Sequence, residues 1–284
     1  MKIGIIGLGL MGASFGRALI KYTSNVVYGY DIDETSMLKA NLLGAINIPL
    51  TKENAKELDV LVIAVFPKLF KSVAKEYLPY LKEGATLMDF CGVKKSILKS
   101  MKEFAVEYEK LNFIGAHPMA GKEFSGINHS TPLLFNKASM LLTPIKTDIF
   151  NESEIKNLFL SVGFGEVIIT DGETHDKNIA FTSQMCHIVS NAFIKSPTAE
   201  KHFGYSAGSY KDLTRVARMN PEMWTDLVMQ NKENVLYELE IFIENVEKYK
   251  NAIANNDEET LKQLFKEGND KKLEIDLGRK KWVL

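Results

Sequence analysis

Two regimes of hydrophobic patterning divide the chain. Up to about residue 170, short apolar runs alternate with stretches of helical spacing. The runs Ile3–Ile6, Val26–Tyr30, Val60–Val65, Thr86–Asp89, Phe113–Ala116, Ser139–Leu142 and Glu166–Ile169 are rich in Val, Ile, Leu or aromatic residues. Gly, Asp, Pro or Asn bounds them, which is the mark of strands. Continuous apolar character fits strands covered on both faces. Helices between them imply a mostly parallel, doubly wound sheet, with room for an antiparallel edge among the later strands. From about residue 171 the strand-like runs stop. Asn220-Pro221 predicts a helix start, with an Asn cap and Pro at the first helical position. No Gly or Pro follows until Gly268, and in this run Val235, Leu239, Phe242, Val246, Tyr249 and Ile253 recur at spacings of four and three. That is the spacing of a helix–helix seam, equally a core stripe or a subunit interface. Asp257 is expected to cap a last helix, and the charge-rich tail Lys271–Lys281 to be solvated. The expected architecture is α/β: a Rossmann-type dinucleotide-binding domain over 1–170, then an all-helical domain over 171–284.

Length agrees with two domains, since 284 residues exceed what one core usually serves. Charge narrows the partners: 35 basic against 36 acidic residues, with no polybasic run, offer no general grip on nucleic acid or anionic membrane. No stretch approaches the roughly 18–20 apolar residues that span a bilayer. The start, Met1-Lys2-Ile3-Gly4-Ile5-Ile6-Gly7, is too short and Gly-broken for a secretory leader. With only Cys91 and Cys186, a reduced, cytoplasmic protein is expected, and no metal site.

Gly7-Leu8-Gly9-Leu10-Met11-Gly12 fits GxGxxG and lies between a predicted strand and a predicted helix. Gly7 permits a tight turn, Gly9 lets backbone approach a pyrophosphate, and Gly12 lets helix and strand pack closely. The diphosphate then sits at the helix N-terminus, where unpaired N–H groups favour anions. Asp31, 24 positions after Gly7, ends the second strand and suits the ribose hydroxyls. A carboxylate there repels a 2′-phosphate, so NAD is expected over NADP.

Ligands of open α/β sheets bind beyond the carboxyl ends of strands. Ala116-His117-Pro118-Met119-Ala120-Gly121-Lys122-Glu123 begins at such an end, so His117 is a candidate base for a substrate hydroxyl. Thr174-His175-Asp176 opens a helix carrying Ser183-Gln184-Met185-Cys186-His187, and Gly208-Ser209-Tyr210-Lys211-Asp212-Leu213-Thr214-Arg215-Val216-Ala217 leads into another. Arg215 has the fork that clamps a carboxylate. Singly, the plainer readings hold: a core His187, and an Arg215 that is an exposed charge or a partner of Asp212 or Asp226.

Together, the His117–Glu123 and Asp212–Ala217 runs and the Gly-rich turn resemble the prephenate dehydrogenase family, which includes arogenate dehydrogenases of tyrosine biosynthesis. The resemblance implies that His117 takes the ring hydroxyl proton of prephenate while hydride passes to NAD, and that decarboxylation yields 4-hydroxyphenylpyruvate. It implies a substrate site of His187, Arg215, Gly208 and Trp224, a cofactor site of Gly7, Leu8, Gly9, Met11, Gly12 and Asp31, and a homodimer through the helical domain. Three positions depart from the family pattern. Gly92 stands where a serine usually orients the histidine, and Gln184 and Cys186 replace a His and a Pro. No fused mutase or regulatory tail is expected. Arogenate or dual specificity stays open, as does a β-hydroxyacid dehydrogenase-like enzyme, which would need a catalytic Lys on a helix. A non-enzymatic NAD-binding dimer is favoured only by Gly92.

Overall fold

The computed structural model describes residues 1–282, with side chains described as far as Gly278. The chain forms two compact units, Met1–Lys232 and Glu233–Leu284.

The first unit is built on one sheet: β1 (Lys2–Ile6), β2 (Val26–Tyr30), β3 (Ile48–Pro49), β4 (Val60–Ile63), β5 (Thr86–Asp89), β6 (Asn112–Pro118), β7 (Ser139–Lys146) and β8 (Glu166–Ile169). Their order is β3-β2-β1-β4-β5-β6-β7-β8. All neighbours run parallel except β6 and β7, which pair antiparallel with His117 opposite Leu141. Order reverses at β1, leaving the switch-point crevice beside its carboxyl end. Helices α1 (Leu10–Tyr22), α2 (Glu34–Leu42), α3 (Pro67–Tyr77), α4 (Lys95–Glu107) and α5 (Ile149–Ser161) make the connections. The period-2 alternation of the strands feeds two cores. Ile3, Ile5, Val60, Val62 and Ile114 belong to one, and Ile6, Leu61, Ile63, Leu87 and Phe113 to the other. The doubly wound sheet expected from the runs is the observed one.

Boundaries differ for local reasons. β4 stops at Ile63 rather than Val65, because Phe66 is extended as the N-cap of α3 with Pro67 following it. β3 left no run to detect: it has two residues, one of them Pro49. β6 and β7 extend each other by pairing, so β6 reaches Pro118 and β7 Lys146.

After β8 no strand occurs among the described residues. α6 (Gly172–Ile179), a π-helical stretch Ala180–Met185, α7 (Cys186–Phe193), α8 (Gly208–Thr214) and α9 (Pro221–Gln230) complete the unit. Asn220 Oδ1 caps α9, accepting from Met223 N at 3.0 Å. The run without Gly or Pro is not one helix: it breaks at Asn231, whose side chain is drawn into tertiary hydrogen bonds with Asp176 O and Gln184 Oε1.

α10 (Lys232–Ala254) and α11 (Glu258–Trp282) form the second unit, where the Tyr249 and Phe265 rings stand 5.3 Å apart. Asp257 caps α11 through Thr260 N. Of the seam residues, Val235 is buried whereas Phe242, Val246 and Ile253 are exposed. The tail is solvated from Lys271 to Leu277; its side chains at 279–281 lie outside the described residues.

Candidate active site

The Gly-rich turn leaves the carboxyl end of β1. Gly7 has φ +92°, a conformation few other residues adopt, and a Cβ there would stand 2.5 Å from Ala64 O. A Cβ on Gly12 would come within 2.0 Å of Gly7 O, so only glycine lets α1 start this close to the turn. Around Gly9 the space is open, and a side chain would fill it. Neither a side-chain cap nor a first-turn acid answers the N–H groups that open α1. This cradle fits an anion such as a pyrophosphate. Leu8, between Gly7 and Gly9, is buried, and Met11, in the first turn of α1, is half-buried. Asp31 accepts from Leu8 N at 2.7 Å and from Asp33 N at 2.9 Å, so its carboxylate is fixed beside the turn.

His117 closes β6 on the same carboxyl edge, three strands from β1 and thus roughly 14 Å away. Its Nδ1 lies 2.9 Å from His175 Nε2, and His175 Nδ1 lies 2.7 Å from Asp176 Oδ1. Asp176 also accepts the backbone N–H groups of Lys94 and Lys95, tying α6 to the start of α4. Beneath this chain Lys94 and Asp89 form a wholly buried ion pair at 2.6 Å, and Lys94 Nζ also reaches Cys91 O at 2.7 Å. Asp89 takes Cys91 N at 2.8 Å and Ala116 N at 3.0 Å, so the backbone entering His117 is anchored to the pair. Burial holds His117 well below its ordinary pKa, and the Lys94 ammonium pushes the same way. His175 is also lowered by burial, against an opposing pull from Asp176.

The helical part brings a second group alongside. The π-helical stretch widens the turn ahead of α7 and turns Gln184 inward, where Nε2 donates to Leu227 O at 2.9 Å. His187 Nδ1 donates to Ser183 O at 2.9 Å, and its ring lies 3.8 Å from that of Trp224. Trp224 and Leu227 stand three residues apart on α9, and Leu227 lies 3.2 Å from where a Cβ on Gly92 would be. One helix face therefore joins the His187 ring to the surroundings of His117. Burial lowers the His187 pKa, and the Arg215 charge adds to it. Arg215, at the end of α8, pairs with Glu123 at 3.2 Å and not with Asp212 or Asp226. Gly208 opens α8, exposed, and a Cβ there would stand in open space.

Residues 15–176 match the family description "Prephenate dehydrogenase, nucleotide-binding domain", and residues 171–267 match "Prephenate dehydrogenase, dimerization domain". The chain belongs to the prephenate dehydrogenase family. It is 30% identical over 283 residues to the cyclohexadienyl dehydrogenase of Zymomonas mobilis, covering 96% of this chain and 95% of that one. To the prephenate dehydrogenase of Bacillus subtilis it is 27% identical, covering 97% and 76%. The crystal structure of the Aquifex aeolicus prephenate dehydrogenase, in complex with hydroxyphenyl propionate and NAD+, has a TM-score of 0.83 at 30% identity. The match covers 97% of this chain and 98% of that one. Within this prephenate dehydrogenase fold, His175 and Asp176, which the sequence marks only as a helix opening, stand beside His117. Glu123 as the partner of Arg215, and Asn231 as a tie from the end of α9 to α6, carry no signal in the sequence because their partners are distant along the chain. Adjacent His and Asp after a capping Asp171 was the available signal for His175 and Asp176.

Proposed function

We propose that this family member oxidatively decarboxylates prephenate to 4-hydroxyphenylpyruvate with NAD, His117 being the catalytic base. The observation that carries it is the placement of the Gly-rich turn and of a half-buried, neutral His117 on one carboxyl edge of the sheet. NAD, when bound, supplies the hydride acceptor, and departure of the ring carboxylate as carbon dioxide then aromatises the product. Gly7, Gly9, Gly12 and the opening N–H groups of α1 would hold its pyrophosphate, with Leu8 and Met11 alongside. Asp31 would take the adenosine ribose hydroxyls. His117 accepts the ring hydroxyl proton at Nε2 and returns it to the phenolate oxygen, so no net proton is released. Arg215 grips a substrate carboxylate, His187 and Trp224 wall the ring, and Gly208 lines the pocket through backbone. The functional division near residue 170 separates cofactor from substrate, and the exposed seam of α10 serves a homodimer. Two free thiols fit a cytoplasmic setting.

Purified protein should reduce NAD when given prephenate, read as NADH absorbance. A response to arogenate alone moves the substrate to that amino analogue, and silence with both refutes the proposal. NAD should be used well ahead of NADP. Asp31→Ser combined with Ile32→Arg should shift the ratio toward NADP by about tenfold or more, equivalent to about 1.4 kcal/mol. Ile32 is 89% exposed, so an arginine has room there. Equal use of both cofactors by the parent overturns the role of Asp31.

Arg215→Ala should raise KM for the cyclohexadiene substrate by roughly 10–100-fold, in line with a charge-assisted hydrogen bond of about 1.5–3 kcal/mol. Arg215→Lys keeps the charge but loses the fork, so its KM should fall between the two. KM for NAD should hardly move. An unchanged substrate KM with a lowered Tm would make Arg215 a surface charge only.

A further inference from the structure

The His117 ring is held from one side. Asp176 accepts Lys94 N at 2.7 Å on Oδ1 and Lys95 N at 2.8 Å on Oδ2, so this carboxylate acts as an acceptor throughout. The proton in its 2.7 Å contact with His175 therefore sits on His175 Nδ1. A neutral imidazole protonated at Nδ1 carries a lone pair at Nε2, and that lone pair faces His117 Nδ1 at 2.9 Å. His117 Nδ1 must then carry the hydrogen, which leaves Nε2 bare. On the bare side stands Gly92, where a Cβ would lie 3.8 Å from Nε2. Residue 92 thus offers no side-chain group to orient the ring from there.

We infer that His175, backed by Asp176, is a positioning residue that fixes His117 in the one tautomer able to take the substrate proton. The inference rests on the reading of His117 as the base. When Nε2 binds the proton, the Nδ1–H bond to His175 becomes charge-assisted and strengthens, which favours the protonated ring at the moment it forms. The proton remains on His117 and leaves from the same nitrogen. Asp176 orients the pair and takes no part in the transfer.

A plain structural role predicts a different outcome for two variants of the full-length protein. In His175→Asn the amide sits where Nδ1 was: it can still donate to Asp176 but falls short of His117. In His175→Gln the amide reaches the former place of Nε2 and can present its oxygen to His117 Nδ1. If His175 positions the base, Gln should retain most of kcat while Asn loses roughly 10²-fold, with KM for both ligands nearly unchanged in each. If His175 only supports the start of α4, the order reverses and follows Tm. That order, or parental kcat in both variants, overturns the inference. The ¹⁵N spectrum of the histidine rings decides it without turnover. His117 in the parent should be protonated at Nδ1 and bare at Nε2, and His175→Asn should populate the other tautomer. A parent His117 protonated at Nε2 overturns the inference even in an active enzyme. The expected tautomer in an inactive protein overturns only the proposed reaction.

Discussion

His117→Asn should lower turnover by roughly 10²–10⁴-fold, the range of a positioned acid–base group. Asparagine is shorter than the imidazole and uncharged. Its amide stands near the place of Nδ1 and can keep the contact with His175, while nothing remains where Nε2 met the hydroxyl. NAD affinity should therefore stay close to that of the parent, since the Gly-rich turn lies three strands away. A variant keeping more than about a tenth of kcat removes His117 from the base role. The parent carries its own pH signature. Burial first, and the Lys94 ammonium second, hold the folded pKa of His117 well below 6.5. Lowering pH protonates the base, so the acid limb of kcat/KM should fall below pH 6.5 and not at it. Stability follows the same sign. The unfolded histidine binds a proton more readily than the folded one, so stability is intact above about pH 6.5 and is lost as pH drops toward the folded value.

Lys94→Met should cost about 3–5 kcal/mol of folding stability, read as a lowered urea midpoint at unchanged m. Lys94 and Asp89 are both fully buried at 2.6 Å, so methionine fills much of the volume yet leaves the Asp89 carboxylate without its counter-charge. Two backbone N–H groups, of Cys91 and Ala116, still bond Asp89 and keep the loss from being larger. The variant also removes a positive charge that disfavours protonated His117. Its acid limb should consequently move up in pH, opposite to the effect of deeper burial. A loss below about 1 kcal/mol would show that the pair is replaceable by packing alone.

The chain's own pattern determined the alternation of strands and helices in the first 170 residues, because strands buried on both faces need unbroken apolar runs and write them into the sequence. It also located the turn around Gly7 and Gly12, where a Cβ would collide with backbone at 2.5 and 2.0 Å, and caps such as Asn220 and Asp257, which are local chemistry. The His117–Glu123 and Asp212–Ala217 runs pointed to the family because each is contiguous along the chain and can be read without its distant partners. Tertiary structure alone decided the antiparallel pairing of β6 with β7 and the two-residue β3, since register depends on partners distant in sequence. It decided that the helix breaks at Asn231, against a run with good helical spacing, because hydrogen bonds to Asp176 and Gln184 outweigh one helical turn. It chose Glu123 for Arg215, 92 residues away. And it set His175 against His117 across 58 residues, where no spacing rule reaches, because only packing α6 onto the end of β6 brings the two rings within 2.9 Å.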